Sequence, residues 1–306
     1  QRHFWQPNRL IHFHFDFFRS ASQYAEKQRQ NGRQNMYLKQ DTPLGGLRYV
    51  ALQQLARGGT WRTEAMRSYP FPVLLWFTKG QGRLTINGVR YGYAANTLVI
   101  IPSHAMHGFE CGRTTSGHAL FLSNATSLSS FEEQAILRLP LMADQHELTD
   151  FLENIGQELD VQNTGYEQVC KSIIELMAIW VERKLENVEP KGRSGAAYRL
   201  AASYSQLLEQ DFNTGKTVAA YAEKLGITPT HLSRACRETC GRPASSLLLD
   251  RIFFEARKML SETALPIKDI AAGLGFRSAA YFTRAFSQRV GSTPSEFRRT
   301  SMPRLN

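Results

Sequence analysis

The sequence predicts an α+β chain of two domains: a front half of short β-strands leading into a helical segment, then a tail that is helical throughout. Three observations carry this. The 306 residues exceed what one hydrophobic core usually holds. Between residues 47 and 122, short apolar runs alternate with Gly, Pro and Asn-Gly turn signals. From residue 198 onward the pattern becomes helical, with breaks at Gly215, Gly226, Gly241, Pro266, Gly275 and Gly291.

Composition narrows the class. With 42% apolar and 21% charged residues the chain is not disordered throughout. No apolar run approaches the roughly 20 residues of a membrane-spanning helix. The four cysteines, Cys111, Cys170, Cys236 and Cys240, are too scattered for a disulfide framework, and no leader-like segment precedes them. A reducing compartment, the cytoplasm, is therefore expected, with an N-terminus upstream of Gln1. The net charge of +10 is unevenly spread. Residues 1–100 hold 14 Lys and Arg against 4 Asp and Glu, residues 101–190 hold 5 against 14, and residues 191–306 hold 18 against 9. Basic segments of this kind meet polyanions.

Taken in order, residues 12–17 alternate polar and apolar as a half-buried strand does, and residues 20–40 read as a polar loop or frayed helix. Residues 47–55, 73–78, 83–86, 89–93, 98–101 and 118–122 read as strands. Asn87-Gly88 marks a two-residue hairpin, because both positions tolerate positive φ. Strands this short and frequent suggest a closed or double-sheet β-barrel. Residues 131–139 and 147–159 look helical. Residues 165–187 form a longer helix with two apolar stripes, Val169, Ile173, Leu176 and Trp180 beside Ile174, Met177 and Val181. Two stripes suit either a second subunit or burial within one domain. Residues 187–197 carry Pro, two Gly and Ser without apolar periodicity and read as a linker. The domains are thus 1–190 and 191–306.

The tail contains an internal repeat. Residues 218–227 and 267–276 share Val218/Ile267, Ala222/Ala271 and Leu225-Gly226/Leu274-Gly275. After each turn, Arg234-Ala235 matches Arg284-Ala285 with one extra residue in the second copy. Each copy has helix-turn-helix grammar. The small Ala lets two helices cross closely, the Gly takes a left-handed turn, and Thr228 or Ser278 can cap the helix that follows. Leu232, Cys236, Tyr281, Phe282 and Phe286 are expected to pin the second helices to the core. Thr230, Ser233, Arg234 and Arg237 stay free in copy one, and Ala279, Ala280, Thr283 and Arg284 in copy two.

Residues 198–300 resemble the DNA-binding domain of the AraC/XylS family of bacterial transcription regulators. The resemblance rests on Gly273 to Phe276, Tyr281-Phe282, Arg284 to Phe286, residues 291–298, and the connecting segment 245–261 with Arg251, Ala256-Arg257 and Leu260. Cys236 departs from the usual aromatic, and Leu247 from the usual Tyr or Phe after Pro243. The resemblance implies recognition helices at about 229–239 and 278–290 in successive major-groove segments of double-stranded DNA. The base-facing positions it implies are Thr230, Ser233, Arg234, Ala279, Ala280, Tyr281 and Arg284. Arg237, Lys268, Arg277, Ser278 and Arg289 fall at phosphate-contacting positions. Arg251 fits a structural ion pair with Asp250 or Glu255.

Residues 71–82, Asn87-Gly88, and residues 98–102 with His107 resemble the family's other common part, a small cupin-like β-barrel that senses a small molecule. Metal cupins need a His-x-His pair, a Glu and a distant His. His12 and His14 have the pair spacing but precede the barrel, and His104 and His107 lack the remaining ligands, so neither metal nor cofactor is expected. No nucleophile–base pair or Gly-rich phosphate loop is apparent, and an enzyme is not expected. Candidate pocket residues are Trp61, Trp76, His107 and Phe109, with Arg62 or Arg83 as a charged hook. His107 reads equally as a satisfied core histidine. The basic front half suits an anionic effector, and residues 101–117 resemble regulators of aromatic-acid breakdown, implying a carboxylated aromatic ligand.

The expected function is a sequence-specific DNA-binding regulator, an activator responding to a small molecule. It is expected to form a homodimer through the 147–188 helices and to act on RNA polymerase. Two other readings compete: a cupin-type metalloenzyme with a helical interaction tail, and a ligandless regulator controlled by a partner protein.

Overall fold

The computed structural model describes residues 47–57, 59–122, 129–186 and 195–301. The expected strand bearing His12 and His14, the stretch 20–40 and most of the expected linker lie outside the described residues. The chain divides into Gln1–Thr42 and Pro43–Asn306, and the description concerns the second unit.

Eight strands are described: β1 (Arg48–Ala51), β2 (Val73–Lys79), β3 (Gly82–Ile86), β4 (Val89–Tyr93), β5 (Thr97–Ile101), β6 (His107–Phe109), β7 (Ser116–Phe121) and β8 (Ala135–Arg138). They form two antiparallel sheets, ordered β1-β7-β2-β5-β8 and β4-β3-β6. Asn87 and Gly88 both take positive φ and connect β3 to β4, as their pairing predicts. No hydrogen-bonded ladder joins the sheets among the described residues, so of the two forms expected, closed or double-sheet, the front half takes the double sheet, and a closed cupin-like barrel is not seen.

The larger sheet is covered on both sides. Its central strands are buried on both faces, and successive side chains point to opposite layers. Leu74, Trp76, Leu98, Ile100 and Leu120 pack against helices α3 (Met142–Val161) and α4 (Tyr166–Leu185). Val73, Leu75, Phe77, Val99 and Phe121 pack toward Leu84, Ile86 and Phe109 of the smaller sheet. The result is three layers: small sheet, large sheet, helix pair.

Several expectations shift. Residues 47–55 are strand only to Ala51, and Leu52–Ala56 is a short helix, α1. A second, α2, spans Trp61–Glu64. Residues 131–139 are not helical: after a 3-10 turn at Ser129–Phe131, β8 pairs with β5. Helix α3 begins at Met142, not Glu147. The two stripes of α4 separate: Ile174, Met177 and Val181 are buried, whereas Val169 and Leu176 are exposed; Trp180 is buried and donates to Glu147 Oε2 at 2.7 Å.

The tail comprises α5 (Ala196–Asp211), α6 (Val218–Lys224), α7 (Pro229–Cys240), α8 (Ala244–Glu262), α9 (Ile267–Gly273), α10 (Ala279–Val290) and α11 (Pro294–Ser301). Helix α5 starts inside the expected linker. A single cluster, including Tyr204, Leu208, Leu232, Phe253, Phe282 and Phe286, holds these helices together. Met66 and Met106 of the front half belong to the same cluster, so sheets and helices share one interior here.

Candidate functional site

The two halves of the repeat adopt the same turn. In the first, Ile227 N–H reaches Ala222 O at 3.0 Å and Gly226 N–H reaches Glu223 O at 2.9 Å. In the second, Phe276 reaches Ala271 O at 3.0 Å and Gly275 reaches Ala272 O at 3.1 Å. Gly226 and Gly275 carry φ of 69° and 79°, closing a Schellman-type end that reverses the chain. Ala222 and Ala271 are buried where the paired helices cross. Thr228 Oγ1 accepts from His231 N and Ser278 Oγ from Tyr281 N, both at 3.2 Å. These caps fix where α7 and α10 begin, close to the starts expected from sequence.

One face of each second helix is pinned. Leu232, Cys236, Phe282 and Phe286 are fully buried. Burial pushes the Cys236 thiol up to about 12, which keeps it protonated and inert. Tyr281 departs from the expected pinning role. It is 58% exposed, because it lies about 100° around the helix from Phe282. Thr230, Arg234, Arg237, Ala280 and Arg284 are exposed with it, while Ser233 and Ala279 are half-buried. Lys268, Arg277 and Ser278 are exposed at the entry to the second unit. The Ser278 oxygen is already the cap acceptor, which leaves its O–H to donate outward.

Three acidic residues organise the arginines behind this face. Asp250 accepts from Arg242 and from Arg289, each at 2.5 Å, so Arg289 is tethered within the domain. Arg251 is buried and pairs with Glu209 and with Glu255, both at 2.9 Å. The expected Glu255 partner is present, Asp250 is not one, and Glu209 carried no sequence signal. Ser68 of the front half also donates to Glu209.

The candidate pocket residues are not brought together. Trp76 lies on the helix-facing side of the large sheet, with Nε1 donating to Thr149 Oγ1 at 3.2 Å. Phe109 lies on the opposite side, edge-on to Phe77 at 5.8 Å. The period of two along a strand imposes this separation. Arg83 is exposed and paired with Glu110 at 2.9 Å. His107 is 2% exposed, and its Nδ1 meets Ala105 O at 2.9 Å. Burial, and then the charge of Arg67, lower its pKa to about 3, so the ring is neutral. Trp61 sits against the tail, edge-on to Phe254 at 5.8 Å and Phe297 at 5.9 Å, with Arg62 over its ring at 4.7 Å. Arg67, which the sequence reading missed, is buried nearby between Phe109 and Phe254. Nothing in its sequence context separates it from a surface arginine. Among the described residues no group of three His, Cys, Asp or Glu is placed to hold a metal ion, and no helix is long and apolar enough to cross a membrane.

Comparison with known proteins points to the same part of the chain. Residues 221–300 match a family described as a helix-turn-helix domain. The chain is 32% identical over 89 residues to the arabinose operon regulatory protein of Escherichia coli (strain K12), covering 29% of this chain and 30% of that protein. It therefore spans less than a third of the length of that relative. Over 86 residues it is 36% identical to the probable transcription factor PqrA of Proteus vulgaris, covering 28% of this chain and 70% of PqrA. The unsaturated fatty acid-bound structure of ToxT from Vibrio cholerae is similar at 18% identity and a TM-score of 0.39, over 82% of this chain and 94% of that one. With PqrA matched across most of its own length, the shared unit is the doubled helix-turn-helix itself, and the chain belongs to the AraC/XylS family of transcription regulators.

Proposed function

We propose that the protein is a sequence-specific DNA-binding transcription regulator of the cytoplasm, not an enzyme, in which residues 191–306 bind the promoter and residues 1–190 sense a small molecule. The observation that carries this reading is the doubled turn: two helices with matched caps, each with one face pinned and an arginine-bearing face exposed. Helix α8 joins the units, and its 19 residues rise about 28 Å, comparable with the ~34 Å turn of B-DNA. That length suits α7 and α10 entering successive major-groove segments.

In this arrangement Thr230, Ser233 and Arg234, then Ala279, Ala280, Tyr281 and Arg284, face base edges. Arg237, Lys268, Arg277, Ser278 and Arg289 face phosphates. Ala279 and Ala280 carry no hydrogen-bonding group and touch at most a thymine methyl, so the second unit reads fewer bases. The relatives named as an arabinose operon regulator and a transcription factor support the reading, and activation through RNA polymerase belongs to it. The front half acts as a cupin-like sensor for an anionic, carboxylated aromatic effector. Exposed Met142, Val161, Val169, Leu176 and Ile179 on α3 and α4 suit a second copy of the chain, making a homodimer.

The test is equilibrium binding of the full chain to its own promoter fragment and to random DNA at moderate salt. Tighter binding to the promoter, with steep salt dependence from counterion release, is expected. Equal affinity for the two DNAs overturns the reading.

A further inference from the structure

The two helix-turn-helix units end differently. Arg234 and Arg284 occupy matching places in the repeat, so Thr239 corresponds to Arg289 and Gly241 to Gly291. Both glycines close their helix in the left-handed conformation, with φ of 75° and 83°. In the second unit a Cβ built on Gly291 would meet nothing within 4 Å, and Arg289 pairs with Asp250 of α8, inside the tail. In the first unit the same two places meet the front half. Thr239 is buried and donates its hydroxyl to Gly88 O in the β3–β4 turn at 2.7 Å. A Cβ built on Gly241 would lie 3.0 Å from both Nη atoms of Arg90, on β4. A guanidinium there also suits the carbonyl end of a helix.

The hairpin is itself held. Asn87 N–H donates to Met106 O at 2.7 Å, and Met106 belongs to the interior that also contains Leu232 and Cys236 of α7. The grip falls on the back of α7. Thr239 follows Thr230 by nine positions and Arg234 by five, which at about 100° per residue puts it about 180° and 140° around the helix from them. Thr230, Arg234 and Arg237 stay exposed. The hairpin thus supports α7 without covering its arginine-bearing face. It also has leverage. Thr230 lies about 13 Å along the axis from Thr239, so a tilt of about 5° at the gripped end moves it by about 1 Å. A shift of that size takes a hydrogen bond out of its range.

We propose that the β3–β4 hairpin, through Thr239 and Arg90, is the positioning element of the first helix-turn-helix unit. It fixes the tilt of α7, and with it base choice in that unit, while the tail itself fixes α10. Thr239 and Arg90 touch no base and act through the helix. The consequence for base choice, though not the hold on α7, rests on the proposed function.

The test uses the full chain and the duplexes that the parent protein enriches from a randomised DNA library. Base pairs whose choice relaxes in Arg234→Ala belong to the first unit, and those that relax in Arg284→Ala to the second. Thr239→Val and Arg90→Gln are each expected to lower the preference at first-unit base pairs by about ten-fold and to leave second-unit base pairs within about two-fold. Thr239→Ser, which keeps the donor, should restore the parent's preference. Without DNA, hydrogen exchange should quicken in α7 of both loss variants and not in α10. Arg90→Gln, at a half-buried residue, keeps the test available where Thr239→Val fails to fold. Equal losses at the two sets of base pairs, or undiminished preference in Arg90→Gln, overturn the proposal. A protein whose variants loosen α7 alone, but whose parent enriches no duplex, keeps the hold and loses the regulator. A parent that enriches a duplex, with variants that exchange and discriminate as it does, keeps the regulator and loses the hold.

Discussion

Thr239, near the end of α7, donates its hydroxyl to the Gly88 carbonyl in the β3–β4 turn at 2.7 Å. The same oxygen lies 3.1 Å from Ala235 O, but it has one proton, and the shorter contact crosses between the two halves of the chain. Gly88 has no Cβ for a reason: one built there would lie 3.1 Å from Ala201 O and 3.0 Å from Ser205 Oγ on α5. The turn therefore sits in a notch between α5 and α7. Thr239→Val should cost about 1–3 kcal/mol in denaturant unfolding, because a buried carbonyl loses its donor. Thr239→Ser should retain most of that stability. A valine variant within about 0.5 kcal/mol of the parent would show that the bond carries nothing.

The two helix-turn-helix glycines look alike in sequence but are held differently. A Cβ on Gly226 would meet nothing within 4 Å, whereas one on Gly275 would lie 2.2 Å from Gly215 N and 2.8 Å from Asn213 O. Gly226→Ala should cost only the left-handed strain of about 1–2 kcal/mol. Gly275→Ala adds a backbone clash and should exceed about 4 kcal/mol, or leave the second unit unfolded. Comparable midpoints for the two variants in thermal unfolding would contradict this packing.

This contrast marks what was legible in the sequence. The turns themselves were readable, because Gly226, Gly275, Thr228 and Ser278 signal by chemistry that is local. Which neighbour each turn presses on was not, since Gly215 and Gly275 meet only after the chain has folded. β2 shows the same limit: residues 73–78 read as a strand, but no periodicity tells which face looks at helices and which at the second sheet. Trp76 was therefore grouped with Phe109, which lies on the other side. Residues 135–138 read as helix, whereas Ala135 to Leu137 is a three-residue apolar run whose strand state depends on the β5 edge it pairs with. Many short strands followed from the turn spacing, but whether the edges of the two sheets pair is set by contacts distant in sequence.

His107 gives a pH signature. Its pKa is lowered to about 3 by burial and then by the Arg67 charge, against about 6.5 for an unfolded histidine. Between these values the unfolded chain holds a proton that the folded chain refuses. Stability is thus complete above about pH 6.5 and falls as pH drops toward 3, by at most about 1.4 kcal/mol per pH unit. Unfolding free energies at pH 7 and pH 5 should differ less in His107→Gln than in the parent. The half-buried His118, whose pKa burial also lowers, contributes in the same direction to both proteins and cancels in the comparison. An unchanged pH difference in the variant would mean that His107 takes up a proton in the fold.

Arg251 and Glu209 are both below a tenth exposed, and Glu209 also accepts from Ser68. Arg251→Met strands the buried Glu209 carboxylate and should cost about 3–5 kcal/mol, whereas Glu209→Gln should cost less, because Glu255 still pairs with Arg251. The double variant should cost less than the sum of the two, since both charges then disappear together. Strictly additive losses in a double-mutant cycle would show that the pair is not coupled.

The arginines proposed to face DNA should divide by role. Arg234 is exposed in the middle of α7, and among the described residues no carboxylate pairs with it. Arg234→Ala should weaken the preferred site by about 1–3 kcal/mol and relax the choice at one base pair, while random DNA is nearly unaffected. Arg277 precedes the Ser278 cap, where a phosphate contact is expected. Arg277→Ala should weaken every sequence about equally and reduce the slope of log affinity against log salt by about 0.9. Arg289 is intermediate, because Asp250 already holds it. Arg289→Ala should lower affinity uniformly and cost at most about 1 kcal/mol of stability, since Arg242 continues to neutralise Asp250. Affinity measured over single-base variants of the promoter at two salt concentrations separates these outcomes. Equal losses on cognate and random DNA for Arg234→Ala would move that residue from base reading to phosphate contact.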